Sequence, residues 1–126
     1  MKKVIFTEHA PKPIGPYSQA IEANGFVYVS GQIAIDPVTN HMINGDVKAE
    51  AEQVMNNLKA IIEAAGCEMG DVVKCTIFLR DMKDFAPVNQ VYGAYFTENP
   101  PARETVAVLD LPKNAKVEIS AVVMNR

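Results

Sequence analysis

"SQAIEANGFVYVSGQIAI", residues 18–35, decides the architecture of this chain. Asn24-Gly25 is a two-residue turn signal, because both central residues of a type I′ turn need positive φ. Apolar and β-branched residues flank it on either side, so the stretch reads as two antiparallel strands. On the second strand Val27 and Val29 alternate with Phe26 and Tyr28, and successive side chains of a strand point to opposite faces. Both faces are therefore apolar, the mark of a strand covered on two sides.

Upstream, "KKVIFT" is of strand length, and "APKPIGPYS" (residues 10–18) follows it. Three prolines there fix φ and remove donors, so this segment is a loop. Downstream, "DPVTNHMINGD" is a loop or a further hairpin, and from Asp46 the period changes. Val47, Ala51, Val54, Met55, Leu58, Ile61, Ile62 and Ala65 recur at helical spacing, while Glu50, Gln53, Asn57 and Lys59 fall elsewhere. Asp46 is the expected N-cap and Gly66 the stop. "DVVKCTIFLRD" (71–81) is a strand, again apolar on both faces. Asp84 opens a second helix whose first turn tolerates Pro87, with Phe85, Val88, Val91, Tyr92, Tyr95 and Phe96 on one stripe. "RETVAVLDL" and "AKVEISAVVM" are two last strands, expected to form an antiparallel hairpin across "LPKN".

The order β-ββ-α-β-α-ββ describes an α+β fold, a mixed sheet with two helices on one face. Two helices cover only one side of such a sheet. The simplest cover for the other is a further copy of the chain, in a number this pattern does not specify.

The bulk properties bound the function. At 126 residues the chain is expected to be one domain, 1–126, large enough to bury roughly two-thirds of its unfolded surface. A net charge of −3 and a pI near 5.3 argue against a nucleic-acid footprint, which needs clustered Lys and Arg. Cys67 and Cys75 form no CxxC pair and lie far from His9 and His41, so no metal site is expected and the thiols read as buried and free. No stretch approaches the roughly 20 apolar residues of a membrane span, and the apolar part of "MKKVIFTEHAP" is too short for a signal-peptide core. The expected compartment is the cytoplasm.

Among residues with chemistry to offer, Arg103 stands just before a strand and Glu118 stands mid-strand. Glu118 alternates away from Val117, Ile119 and Ala121, so it faces the side without helices. The expected hairpin brings it near Arg103 and Thr105. An interface ion pair and a compact polar site both fit that pairing, and ion pairs are the commoner outcome. Tyr17, Ser30, Gly31 and Asn89 read singly as loop, strand-end or capping residues.

Taken in order, "GPYSQAI", "VYVSGQIAI", "F–VNQVYGAYF", "PPAR" and "LPKNAKVEISAV" resemble the RidA/YjgF family of reactive intermediate deaminases, from about residue 4 to the C-terminus. The resemblance implies a chorismate-mutase-like fold, a homotrimer with one site at each subunit interface, and no cofactor. It implies hydrolysis of 2-imino acids (2-iminobutanoate, 2-iminopropanoate) to 2-oxo acids and ammonia. By the same resemblance Arg103 grips the substrate carboxylate and Glu118 positions the attacking water. Tyr17, Ser30, Gly31, Asn89 and Thr105 line the pocket. A planar guanidinium suits the first role because it presents two parallel N–H donors to a carboxylate. Many members carry Cys where this chain has Thr105. The alternative within the family is a non-catalytic module that binds small carboxylates in a regulatory or chaperone-like role. Endoribonuclease activity, attached to some relatives, fits the acidic balance poorly, and chorismate rearrangement calls for more cations than one arginine.

Overall fold

The computed structural model describes residues 1–125. Its elements run β1 (Lys3–Ile5), β2 (Ala20–Ala23), β3 (Phe26–Gln32), α1 (Val47–Ala64), β4 (Val72–Leu79), α2 (Phe85–Gly93), β5 (Ala102–Ala107) and β6 (Val117–Met124), with three short 3-10 turns between them. The six strands form one sheet in the order β1-β2-β3-β6-β4-β5. Neighbours are antiparallel except β4 and β5, which are parallel and joined through α2, as a parallel pair requires a crossover. The α+β class and the element order match the sequence reading.

The hairpin between β2 and β3 turns at Asn24 (φ 52°) and Gly25 (φ 82°), both in the left-handed region a type I′ turn demands. Helix α1 begins where Asp46 accepts from the Ala49 N–H at 2.9 Å, a cap worth about 1 kcal/mol, and ends before Gly66 (φ 80°). Its face of Val54, Met55, Leu58, Ile61 and Ile62 is fully buried against Val27, Ile77, Val117, Ile119 and Val123. Truncating any of the larger of these to Ala costs about 2–5 kcal/mol.

Glu50 and Asn57 belong to the buried side of α1, contrary to the amphipathic reading, because each finds polar partners there. Asn57 (1 % exposed) donates to the carbonyls of Ile33 and Ile35, tying the chain after β3 to the helix. Glu50 (4 % exposed) accepts from the Lys116 backbone N–H at 2.9 Å and pairs with Lys116 Nζ at 3.5 Å, anchoring the start of β6.

The last two strands do not form a hairpin. Strand β6 is central, between β3 and β4, and β5 lies beyond β4 at the sheet edge. Burial explains the choice. Val117, Ile119, Ala121 and Val123 are all buried, which calls for neighbours on both sides, whereas β5 carries Arg103 and Glu104 and is largely exposed, as edge strands tolerate. The connection over residues 108–116 is long enough to pass β4, and it turns through Lys113 (φ 54°) and Asn114 (φ 55°).

Both helices pack on one side of the sheet. The other side presents Phe26, Tyr28 (48 % exposed), Val106 and Met124 to solvent. No helix among the described residues is long and apolar enough to cross a membrane.

Candidate active site

Two clusters of polar side chains occupy opposite faces of the sheet. The first is on the open face, where β3 and β6 meet. Between Val29 and Gln32 the register slips by one residue against Ala121 and Ile119, a bulge centred on Ser30 and Gly31. The bulge is held from the neighbouring segment. The Ser30 N–H donates to the Gln19 carbonyl at 2.9 Å and the Ser30 hydroxyl to the Ser18 carbonyl at 2.6 Å. Glu118 lies directly over Gly31, where a methyl group would come within 2.8 Å of the Glu118 Cδ. Glycine is therefore what lets the Glu118 carboxyl lie this close, and no positive backbone angle is involved. Half-burial pushes the Glu118 carboxyl above the usual carboxylate range, since desolvation disfavours its charged form. A cleft of about 380 Å³ opens beside it. Tyr17, Ser30, Gly31 and Glu118 share its walls with Pro11, Lys12, Ile14 and Pro112.

The second cluster is on the helix side, at the edge formed by β5 and α2. Strand alternation turns Arg103 and Thr105 toward α2 and sends Glu104 to the open face, where it pairs with Lys74 at 3.3 Å and accepts from the Thr76 hydroxyl. Phe85, Asn89 and Tyr92 stand at i, i+4 and i+7 on α2, hence on one face. All three meet the Arg103 guanidinium. Asn89 Oδ1 accepts from Nη1 at 2.6 Å, and the guanidinium carbon lies 5.1 Å from the Tyr92 ring centroid and 5.6 Å from that of Phe85. An amide and two aromatic rings thus fix a cation at the molecular edge. Arg103 and Asn89 also line a depression with Gly93, Pro100 and Pro101.

Beneath the guanidinium sit Cys75 and Tyr92. Burial pushes the Cys75 thiol up to about 11, against smaller opposing effects of the Tyr92 hydroxyl and of Arg103. Burial likewise raises the Tyr92 phenol, and the adjacent Cys75 adds to it. Such a thiol stays protonated at neutral pH and is a poor nucleophile. The Tyr92 hydroxyl and Thr105 Oγ1 are buried with no oxygen or nitrogen partner among the described residues.

Residues 7–125 match the family described as Endoribonuclease L-PSP. The chain belongs to this family, the RidA/YjgF proteins. It is 56 % identical over 122 residues to a RutC family protein of Pyrococcus horikoshii, covering 97 % of each chain. It is 49 % identical over 129 residues to the 2-iminobutanoate/2-iminopropanoate deaminase of Salmonella typhimurium, covering all of both. Its fold superposes on the solved structure of the Escherichia coli YjgF gene product with a TM-score of 0.94 at 46 % identity, over 98 % of this chain and 99 % of that one.

Within this RidA/YjgF chain the seven residues singled out from the sequence divide into two groups. Tyr17, Ser30, Gly31 and Glu118 come together in the cleft, and Asn89, Arg103 and Thr105 come together at the α2–β5 edge. The expected meeting of Glu118 with Arg103 and Thr105 inside one chain does not occur. Strand β4 stands between β5 and β6, and the side chains leave the sheet from opposite faces. Phe85 and Tyr92 belong to the apolar stripe of α2, and the sequence reading does not connect them with Arg103. Their seven-residue spacing around Asn89 was the available sign of a shared partner.

Proposed function

We propose that this chain hydrolyses small 2-imino acids to 2-oxo acids and ammonia, at sites formed between copies of itself. The observation that carries this reading is Glu118, half-buried over Gly31 beside a cleft, where burial raises its carboxyl pKa and so makes its carboxylate a stronger base toward a water in the cleft. Membership of a family with members named as such deaminases supports the same chemistry.

In this reaction Glu118 takes a proton from water as the oxygen adds to the C=N carbon and passes it to the imine nitrogen, giving a neutral carbinolamine. Glu118 then takes the hydroxyl proton as the C=O bond forms and returns it to the departing nitrogen, so that the C–N bond breaks and ammonia leaves. The product is a 2-oxo acid, with no net oxidation. Arg103 contributes two parallel N–H donors for the carboxylate, held in place by Asn89 and the two rings. Thr105 Oγ1, buried and without a partner beside it, is a further donor for that carboxylate.

Because the two clusters lie on opposite faces of one sheet, a site containing both needs the β5 edge of one copy placed against the open face of the next. The exposed Phe26, Tyr28, Val106 and Met124 are the apolar surface such a packing covers. A homotrimer of cyclic symmetry satisfies this with three equivalent sites.

Subunit mixing tests both parts of the reading. Imine is generated in situ from threonine by a dehydratase, and the surviving imine is trapped with semicarbazide. Arg103→Ala and Glu118→Gln are each expected to be inactive. Mixed at equal amounts through dissociation and reassembly, they recover about a quarter of wild-type activity, since one site in four joins two intact halves. Wild-type protein that leaves the trapped imine undiminished refutes the deaminase reading. Active single variants refute the assigned roles, and a mixture of inactive variants that stays inactive refutes the shared site. Saturable binding of 2-oxobutanoate without turnover identifies a binding module instead.

A further inference from the structure

We infer that Gln19 is a positioning residue that holds the proline-rich loop over the cleft and so sets how tightly the site takes its substrate. The inference rests on the cleft being the substrate site proposed above. Gln19 is polar yet only 1 % exposed, and its side-chain amide faces the loop that runs from Thr7 to Tyr17. Oε1 accepts from the Thr7 N–H at 2.8 Å, and Nε2 donates to the carbonyls of Thr7 (3.0 Å), Pro11 (2.9 Å) and Ala10 (3.3 Å). Only one orientation of the amide satisfies this set, since the reverse would face an N–H against an N–H and an oxygen against the carbonyls.

The loop needs such an anchor. Pro11, Pro13 and Pro16 have no N–H, so neither a strand ladder nor a helix can hold this segment. Its own bonds are local, from Tyr17 N–H to the Gly15 carbonyl, His9 N–H to Thr7 Oγ1 and Ile14 N–H to the Tyr17 hydroxyl. The Gln19 amide supplies the polar fastening of the stretch before Lys12 to the sheet, beside the burial of Ala10 in the core.

The segment so fastened supplies one wall of the cleft through Pro11, Lys12, Ile14 and Tyr17. The opposite wall is the Ser30–Gly31 bulge with Glu118, and the backbone of the same residue supports it, since the Gln19 carbonyl accepts from the Ser30 N–H. Gln19 therefore links the two walls, with its side chain on the loop and its main chain on the bulge, where the Ser18 carbonyl also accepts from the Ser30 hydroxyl. Substituting the side chain leaves the main-chain bond, and so leaves Glu118 over Gly31. The loss falls on the substrate-facing loop and not on the reacting carboxyl.

Gln19→Leu and Gln19→Met, both apolar and of comparable size, remove the amide while filling its space. Hydrogen–deuterium exchange on the assembled protein is expected to quicken about tenfold or more in peptides spanning residues 5–19, with α1, β4 and β6 unchanged. In the coupled imine assay KM rises about tenfold while kcat falls less than about threefold. Unchanged loop exchange in both variants overturns the inference, as does faster exchange across the whole sheet, which would make Gln19 a support of the fold at large. Equal loss of kcat with unchanged KM also overturns it. Wild-type protein without deaminase activity would refute the proposed function instead, and the exchange experiment would still judge the loop anchor.

Discussion

Replacing Gly31 by alanine tests the geometry over which Glu118 is held. The added methyl would lie 2.8 Å from Glu118 Cδ and 3.1 Å from Cγ, and closer still to one carboxylate oxygen. Carbon atoms rest at about 3.5 Å or more, so the carboxyl must retreat by at least roughly 0.7 Å, and further at its nearer oxygen, or swing to another rotamer. The fold tolerates this, because what moves is the flexible end of a half-buried side chain rather than backbone. Overpacking of this kind costs about 1 kcal/mol, the low end of its range, or a fall of roughly 3–5 °C in Tm for a chain of this size. The reaction tolerates it far less. A misplacement near 1 Å costs on the order of 100-fold, or about 2.7 kcal/mol of transition-state stabilisation. Gly31→Ala is therefore expected to lose about two decades in kcat/KM in the semicarbazide-trapping assay while remaining folded by calorimetry. Because Gly31→Ala acts through the Glu118 carboxyl, the double variant with Glu118→Gln should be little worse than Glu118→Gln alone. Activity of Gly31→Ala within threefold of wild type would refute the reasoning, and so would full additivity of the two losses.

Glu118 also makes a prediction about stability. Its folded pKa is raised by burial, so its protonated form favours the folded state, and that contribution is lost as pH rises from the unfolded value of 4.5 through the raised folded one. Glu118→Gln should accordingly be more stable than wild type at pH 7–8, with the difference closing below pH 4.5, as thermal melts across that range would show. Tyr92→Leu removes a ring from beneath Arg103, and loss of about 0.5–1 kcal/mol of cation–π attraction should weaken 2-oxobutanoate binding several-fold in titration calorimetry. Tyr92→Phe keeps the ring and deletes a buried hydroxyl without an oxygen or nitrogen partner, so binding should hold. Thr105→Val likewise removes an unpartnered buried hydroxyl and should raise stability in denaturant by up to about 1 kcal/mol while weakening 2-oxobutanoate binding. Unchanged binding in that variant would remove Thr105 from the site.

The strands and helices were readable because each is written locally. Asn24-Gly25 states its turn, Asp46 and Gly66 bracket a helix, and the prolines after Ala10 forbid regular structure. The polar residues of the buried helix side were not readable. Glu50 and Asn57 fall outside the apolar stripe, and their partners at Lys116, Ile33 and Ile35 are far away in the chain. The same limit hid Gln19, whose four bonds reach back over eight to twelve residues to a loop without periodicity. Phe85 and Tyr92 follow the helical spacing of an apolar stripe, which says nothing of the cation they hold on strand β5.

By itself, then, the sequence determined the class of fold, the order of its elements, and the presence of apolar residues on a second sheet face, all of which follow from spacing along the chain. It also singled out seven residues, through motifs set in one order from end to end. Only the tertiary structure decided how those residues are grouped. Strand adjacency depends on which strand has enough apolar surface to occupy the centre, and that comparison is made across the whole sheet. With β6 central and β5 at the edge, Arg103 and Glu118 leave the sheet from opposite faces. The expected pair within one chain became two separate clusters, one on each side of a single sheet.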